Sequence, residues 1–146
     1  MKIEIKYRDG HSEAVEADSF VEAVEAHKAD LSWANLVGTD LFGADLTDAN
    51  MTGANMTRVN LSGADLSWAN LAGADLSMAD LYEANLSRAT LAMANLAGAN
   101  LYEATLAMAN LCGANLRGAD LTDADLTRAY LARANTKGAV GLKSQT

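Results

Sequence analysis

Every fifth residue from Leu31 to Leu131 is Leu, apart from Met51 and Met56: 19 Leu and 2 Met in 21 positions. Two residues before each stands Ala in 19 of the 21 units, with Thr39 and Val59 as the exceptions. Between them lies Asn ten times or Asp eight times, with Thr90, Thr105 and Tyr130 as departures. The unit is A-[N/D]-L-x-x, whose fourth position favours Ser, Thr or Ala and whose fifth is often Gly. An unbroken five-residue period excludes most folds. In an α-helix a step of five residues turns by about 140°, which would scatter the Leu around every side. A coiled coil needs apolar residues about 3.5 apart on average, and the alternating steps of two and three here fall short of that. A long flat strand would send successive Leu to opposite faces, because five is odd. A very short extended segment followed by a corner does satisfy the pattern. Ala and Leu, two apart, point inward together; the x-x pair turns the corner, and the next segment starts facing inward again. Corners of one sense wind the chain into a coil, and coils stacked roughly 4.8 Å apart hydrogen-bond through their backbones. Asn, Asp, Ser, Thr and Gly are the residues expected at such corners.

The block 29–135 resembles the pentapeptide repeat proteins, and twenty-one consecutive in-phase units make that resemblance specific. The resemblance implies an all-β solenoid: a right-handed quadrilateral β-helix with four pentapeptides per coil, Leu and Ala inward and the other three positions outward. It would have about five coils and stand roughly 25 Å tall. Burial of each Leu or Met contributes about 1.5–3 kcal/mol before conformational entropy is counted. Thr39 and Val59, twenty apart, would stack in one column as a local packing variation.

Residues 1–28 lie outside the repeat. "KIEIKY" alternates, and Asp9-Gly10 reads as a two-residue hairpin turn, which predicts strands near 2–7 and 12–17. A strict two-residue turn would put Val15 on the face opposite Ile3 and Ile5. Ser19 with Glu22 forms a capping box, and Phe20, Val24 and His27 share one helical face, which predicts a helix near 20–28. The first coil of a solenoid exposes its core and unpaired backbone, so 1–28 reads as an N-terminal cap of hairpin and helix. His11 falls at the turn and His27 at a cap contact or helix surface; two isolated histidines lack metal-site spacing. After Asn135 the pattern fades, and 136–146 reads as a C-terminal tail. An exposed last coil could pair with a second copy to give a homodimer.

No catalytic constellation, cofactor motif or metal-ligand spacing stands out, and the expectation is a protein that is not an enzyme. Cys112 is the only cysteine, which excludes an internal disulfide and reads as a substitute for Ser. The net charge of −8 argues against direct binding of nucleic acid or an anionic membrane. No apolar run approaches the roughly 18 residues of a membrane span, and "MKIEIKYRDG" lacks the apolar segment of a secretory signal, so a cytoplasmic location is expected.

With twenty residues per coil, as the resemblance implies, each unit belongs to one of four faces. Residues 30–135 hold twelve acids and five bases. The face of Leu41, Leu61, Leu81, Leu101 and Leu121 carries Asp40, Asp80, Glu83, Glu103, Asp120 and Asp123 and no base. It also carries Phe42, Tyr82 and Tyr102, and Tyr82 would stack over Tyr102. The adjacent face adds Asp45, Asp48, Asp65 and Asp125, with Arg88 and Arg128. The stretch "ATLAMAN" recurs at a spacing of fifteen, which places its copies on different faces, whereas "LYEA" recurs at twenty, on one face. The favoured reading is a rigid scaffold that presents this acidic, aromatic face to a protein with a basic surface. Two alternatives stand beside it. Some members of the family imitate duplex DNA and bind type II topoisomerases such as gyrase, although the acids here are sparser than DNA phosphates. The other alternative is a regular scaffold with no dedicated ligand.

Overall fold

The computed structural model describes residues 2–142. Two short strands, β1 (Lys2–Lys6) and β2 (Ser12–Glu16), form an antiparallel hairpin, followed by a helix, α1 (Phe20–Ala26). From Asn35 onward the chain forms isolated parallel bridges that join each corner residue to the one twenty positions later, from Asn35↔Asn55 to Asp120↔Val140. Four pentapeptides therefore make one turn of chain.

The regularity follows from backbone accounting. Within one unit, every N–H finds an acceptor, as a buried or half-buried backbone requires. In the unit centred on Leu81, the Leu81 N–H donates to the Asn100 carbonyl at 2.8 Å, and the Glu83 N–H to the Tyr102 carbonyl at 3.0 Å, both one turn ahead. The Asn85 N–H reaches back to the Ala64 carbonyl at 2.9 Å. The Ala84 N–H closes the turn onto the Leu81 carbonyl at 3.0 Å. The fifth, on Tyr82, donates to Asp80 Oδ1 at 3.1 Å.

That last bond explains the interchange of Asn and Asp. Both present an Oδ1 that can accept the N–H two residues on, an Asx turn. A Ser or Thr at the fourth position adds its hydroxyl as a second donor, as Ser62 Oγ does to Asn60 Oδ1 at 2.6 Å. Asn adds something that Asp cannot. Its Nδ2 donates to the Oδ1 one turn earlier, so that Asn95, Asn115 and Asn135 form a ladder on Asp75 at 3.0–3.3 Å.

The Ala and Leu positions form one continuous core, with Leu31 through Leu121 buried. Val59 is buried beside them, while Thr39 is half-buried and donates its hydroxyl to the Leu36 carbonyl at 2.8 Å. Every turn from the unit of Leu31 to that of Thr136 has its third residue in the left-handed region: thirteen non-glycine residues and nine glycines. A left-handed third residue with a bond across the turn is the type II geometry.

The hairpin differs from a strict two-residue turn. Lys6 pairs with Ser12, the Tyr7 N–H donates to the His11 carbonyl at 3.0 Å, and the loop is Arg8-Asp9-Gly10. Gly10, at φ 91°, is the left-handed third residue of that three-residue loop. The extra residue shifts the register by one, so Val15 pairs opposite Ile3 and faces the same side as Ile5. Ser19 caps α1, accepting from the Glu22 N–H at 3.1 Å, while the Glu22 carboxylate accepts from the Asp18 N–H at 2.6 Å.

Both elements adjoin the first turn of the solenoid. Tyr7 bridges antiparallel to Ala34, and Ile5 and Val24 enter the core. At the other end, coil geometry continues past Asn135. Thr136 replaces the usual Leu, yet Gly138 and Ala139 complete a normal turn, and the Leu121 N–H donates to the Val140 carbonyl at 3.0 Å. Gly141 ends it: a Cβ there would lie 2.2 Å from the Thr122 nitrogen.

Candidate interaction face

The bridges set the residues of the Leu41–Leu121 face one above another. Three columns result. The corner column runs Asp40, Asn60, Asp80, Asn100, Asp120. Acid and amide alternate, and each amide donates to the acid one turn before it: Asn60 to Asp40 at 2.8 Å and Asn100 to Asp80 at 2.9 Å. Neighbouring carboxylates in this column are thus two turns apart, roughly 9.6 Å at the interstrand spacing, and each is held by hydrogen bonds. The Thr122 hydroxyl, then its backbone N–H, hold the Asp120 carboxyl below its ordinary range.

The second column runs Phe42, Ser62, Tyr82, Tyr102, Thr122. Phe42 is two-thirds exposed, and Ser62 above it is buried. Tyr82 and Tyr102 stack with ring centroids 5.9 Å apart and planes 14° from parallel, as their twenty-residue spacing predicts. Stacked aromatic pairs contribute about 0.5–1.5 kcal/mol beyond the area they bury.

The third column runs Gly43, Gly63, Glu83, Glu103, Asp123, all at positive φ. The last three place acids on three successive turns, each φ between 53° and 58°. The Tyr82 hydroxyl donates to Glu83 Oε1 at 2.7 Å. This bond, with smaller contributions from burial and nearby carboxylates, pushes the Tyr82 phenol up to about 12. The Tyr102 phenol is raised in the same way, first by a hydrogen bond to Glu103 and then by the charges of Glu103 and Asp123. Both phenols are therefore held neutral as donors.

Sequence reasoning placed these nine acids and aromatics on one face, and the bridges bring them together there. It passed over a second ring contact on the adjacent face. Arg88 lies with its guanidinium carbon 4.7 Å from the Trp68 ring centroid, a cation–π contact between residues twenty apart. The same twenty-residue arithmetic would have found it. It also passed over the junction of hairpin, helix and first turn, whose contacts follow no repeat. Among the described residues, no group of three or more His, Cys, Asp or Glu could hold a metal ion. No helix among the described residues is long and apolar enough to cross a membrane.

A twenty-residue turn of four pentapeptides, inward Leu and Ala, and outward Asx corners define a quadrilateral β-helical solenoid. The chain belongs to the pentapeptide repeat family, whose model, "Pentapeptide repeats", matches eight copies over residues 27–63, 64–101, 79–118 and 94–133. Among solved structures the chain is similar to HetL, a pentapeptide repeat protein involved in heterocyst differentiation regulation from the cyanobacterium Nostoc sp. strain PCC 7120. The identity is 38% over 73% of this chain and 56% of HetL, with a TM-score of 0.56. The match thus spans little more than half of HetL. Rfr23 from the cyanobacterium Cyanothece 51142 is 36% identical over 73% of this chain and 86% of its own, with a TM-score of 0.37. The pentapeptide repeat protein alr5209 from Nostoc PCC 7120 is 32% identical over 71% and 77%, with a TM-score of 0.47. Comparison with curated protein sequences gives no significant match.

Proposed function

We propose that the chain is a non-enzymatic scaffold, a prism of about five coils closed at its N-terminal end by the hairpin and helix. In this reading it binds a protein with a basic surface through the face of Asp40, Phe42, Asp80, Tyr82, Glu83, Tyr102, Glu103, Asp120 and Asp123. The observation that carries the reading is the column Glu83, Glu103, Asp123. All three stand at left-handed backbone positions, where glycine occupies the same column at 43 and 63. A side chain there costs about 1–2 kcal/mol relative to glycine. Like charges one strand spacing apart add repulsion, reduced by exposure and salt. The repeat accepts many side chains at this position, so folding does not call for acids on three successive turns; recognition of a basic partner accounts for them, and the stacked tyrosines supply rigid apolar area beside them.

The test compares partner recovery by the wild-type chain and by Glu83→Gly/Glu103→Gly/Asp123→Gly. The variant should fold at least as stably in urea denaturation and lose most of the partner, with recovery falling as salt rises. Unchanged recovery from a well-folded variant would remove the reading. A gyrase supercoiling assay separates the DNA-mimic alternative: no effect at micromolar protein is the outcome expected here, and inhibition would favour mimicry.

Self-association belongs to the same proposal. Ala124, Ala129, Leu131 and Ala134 are only partly buried, whereas Ala104, Ala109, Leu111 and Ala114, one turn earlier, are fully buried. This apolar edge would suit end-to-end pairing of two copies. Sedimentation across a hundredfold range of concentration should then show a dimer, and a monomer throughout would exclude it.

A further inference from the structure

A cavity of about 620 Å³ opens where the hairpin loop, the end of α1 and the first solenoid turn meet. That volume lies within the range of small-molecule sites. Its walls carry ring systems, Tyr7, His11, His27 and Trp33, among charged groups in which the carboxylates of Asp9, Glu13 and Asp30 outnumber the one guanidinium, Arg8. Two of the three carboxylates are already committed within the loops. Asp9 Oδ1 accepts from the His11 N–H at 3.1 Å and lies 2.5 Å from the His11 ring. Asp30 Oδ1 accepts from the Ser32 hydroxyl at 2.5 Å and its N–H at 3.2 Å.

Glu13 differs. Its Oε2 lies 3.4 Å from the Tyr7 hydroxyl and 3.5 Å from His27 Nε2, both beyond the length of a good hydrogen bond. The Tyr7 hydroxyl is equally far from its other acceptor, the Asp30 carbonyl, at 3.5 Å. The Tyr7 hydroxyl thus stands between a carboxylate and a carbonyl and is bound closely to neither. The rings are better fixed. Tyr7 and His11 stack at 4.3 Å with planes 5° apart, and the Arg8 guanidinium lies over the Trp33 ring at 5.6 Å.

We propose that this cavity binds a small organic cation: an ammonium group, seated against the Glu13 carboxylate, on a flat apolar body that lies among the rings. An ammonium would give the half-exposed Glu13 carboxylate a shorter, charge-assisted bond than Tyr7 or His27 gives it, and bonds of that kind are the strong ones. The excess of carboxylates rejects an anion of the same shape.

The experiment uses the full chain carrying Trp68→Phe, so that tryptophan fluorescence reports Trp33 alone. The probes are phenethylammonium, neutral 2-phenylethanol and anionic phenylacetate, which share one ring. Phenethylammonium should give a saturable change, at least about tenfold tighter than 2-phenylethanol, with no saturation by phenylacetate. Glu13→Gln should weaken the amine by about tenfold, while Glu83→Gln, on the interaction face, should leave it unchanged. Equal binding of amine and alcohol, no saturation by the amine up to about 10 mM, or full affinity in a folded Glu13→Gln chain would each overturn the proposal.

Discussion

At the scale of single residues, the left-handed third position of each turn does more than close a corner. Glycine fits it freely, and among the thirteen other residues there Trp33, Met78 and Met93 bring side chains that reach over the glycine one turn later. Trp33 covers Gly53, so a Cβ on Gly53 would lie 2.4 Å from the ring, whereas a Cβ on Gly63 would meet nothing within 4 Å. Gly63→Ala should therefore cost only the left-handed penalty, about 1–2 kcal/mol. Gly53→Ala should cost more and should move Trp33 off its contact with Arg8, read as a change in Trp33 fluorescence along with a lower urea midpoint. The same position sets the chemistry of the tyrosines. Ultraviolet titration should find Tyr82 ionising near 12, and Glu83→Gln should bring it down toward the ordinary phenol value, because the carboxylate acceptor is the main cause of the shift. A Tyr82 that titrates normally in the wild-type chain would show that the Tyr82–Glu83 bond does not persist in solution.

At the scale of elements, α1 is tied to the solenoid by its last turn. Lys28 Nζ donates to Asp45 Oδ1 at 3.0 Å, and Glu25 Oε1 accepts from the Asp45 N–H at 2.7 Å. The Lys28 bond first, and the Thr47 N–H and hydroxyl next, lower the Asp45 carboxyl to about 2. A depressed folded-state value means that the unfolded chain takes up the proton first. The contribution of Asp45 is therefore present above the ordinary carboxylate value of 3.8 and is lost as pH falls toward about 2. Asp45→Asn should flatten the fall of the urea midpoint between pH 5 and pH 2, and a wild-type slope unchanged by that variant would remove the ion pair from the account. Helix existence, its Ser19 cap and both strands were legible in local sequence, since caps and alternation act over three or four residues. The hairpin register was not. Asp9-Gly10 suits a two-residue and a three-residue loop equally, and only the pairing of Tyr7 with the first turn selects the longer one.

At the scale of the whole molecule, each turn contacts only its neighbours, so stability is close to a sum of units and of the interfaces between them. Position along the axis then matters more than residue type. Leu81→Ala opens a void in a closed layer and should cost about 2–5 kcal/mol. Leu131→Ala removes the same atoms from a half-exposed layer and should cost clearly less. Urea denaturation of the two variants decides it; equal losses would mean that the last turn is covered in solution. The end of the solenoid also ran beyond the sequence boundary. Thr136 breaks the Leu period, yet the turn needs only a left-handed residue and a small inward one, which Gly138 and Ala139 supply.

The five-residue period by itself determined the coil, its inward and outward positions and its Asx corners, because each is a local requirement repeated in phase twenty-one times. With the twenty-residue turn that the family resemblance supplied, the same period assigned the candidate face and the stack of Tyr82 on Tyr102. Strict repetition converts a position in the chain into a position in space. The alternation of acid and amide down the Asp40 column was written in the same arithmetic, although its meaning depends on the Nδ2 bonds between turns. Only the tertiary structure decided what lies where the repeat does not reach: the register of the hairpin, the grip of Lys28 and Glu25 on Asp45, and the cavity that leaves Glu13 loosely held. Those contacts join residues at no fixed spacing along the chain, so the packing of hairpin and helix on the first turn sets them.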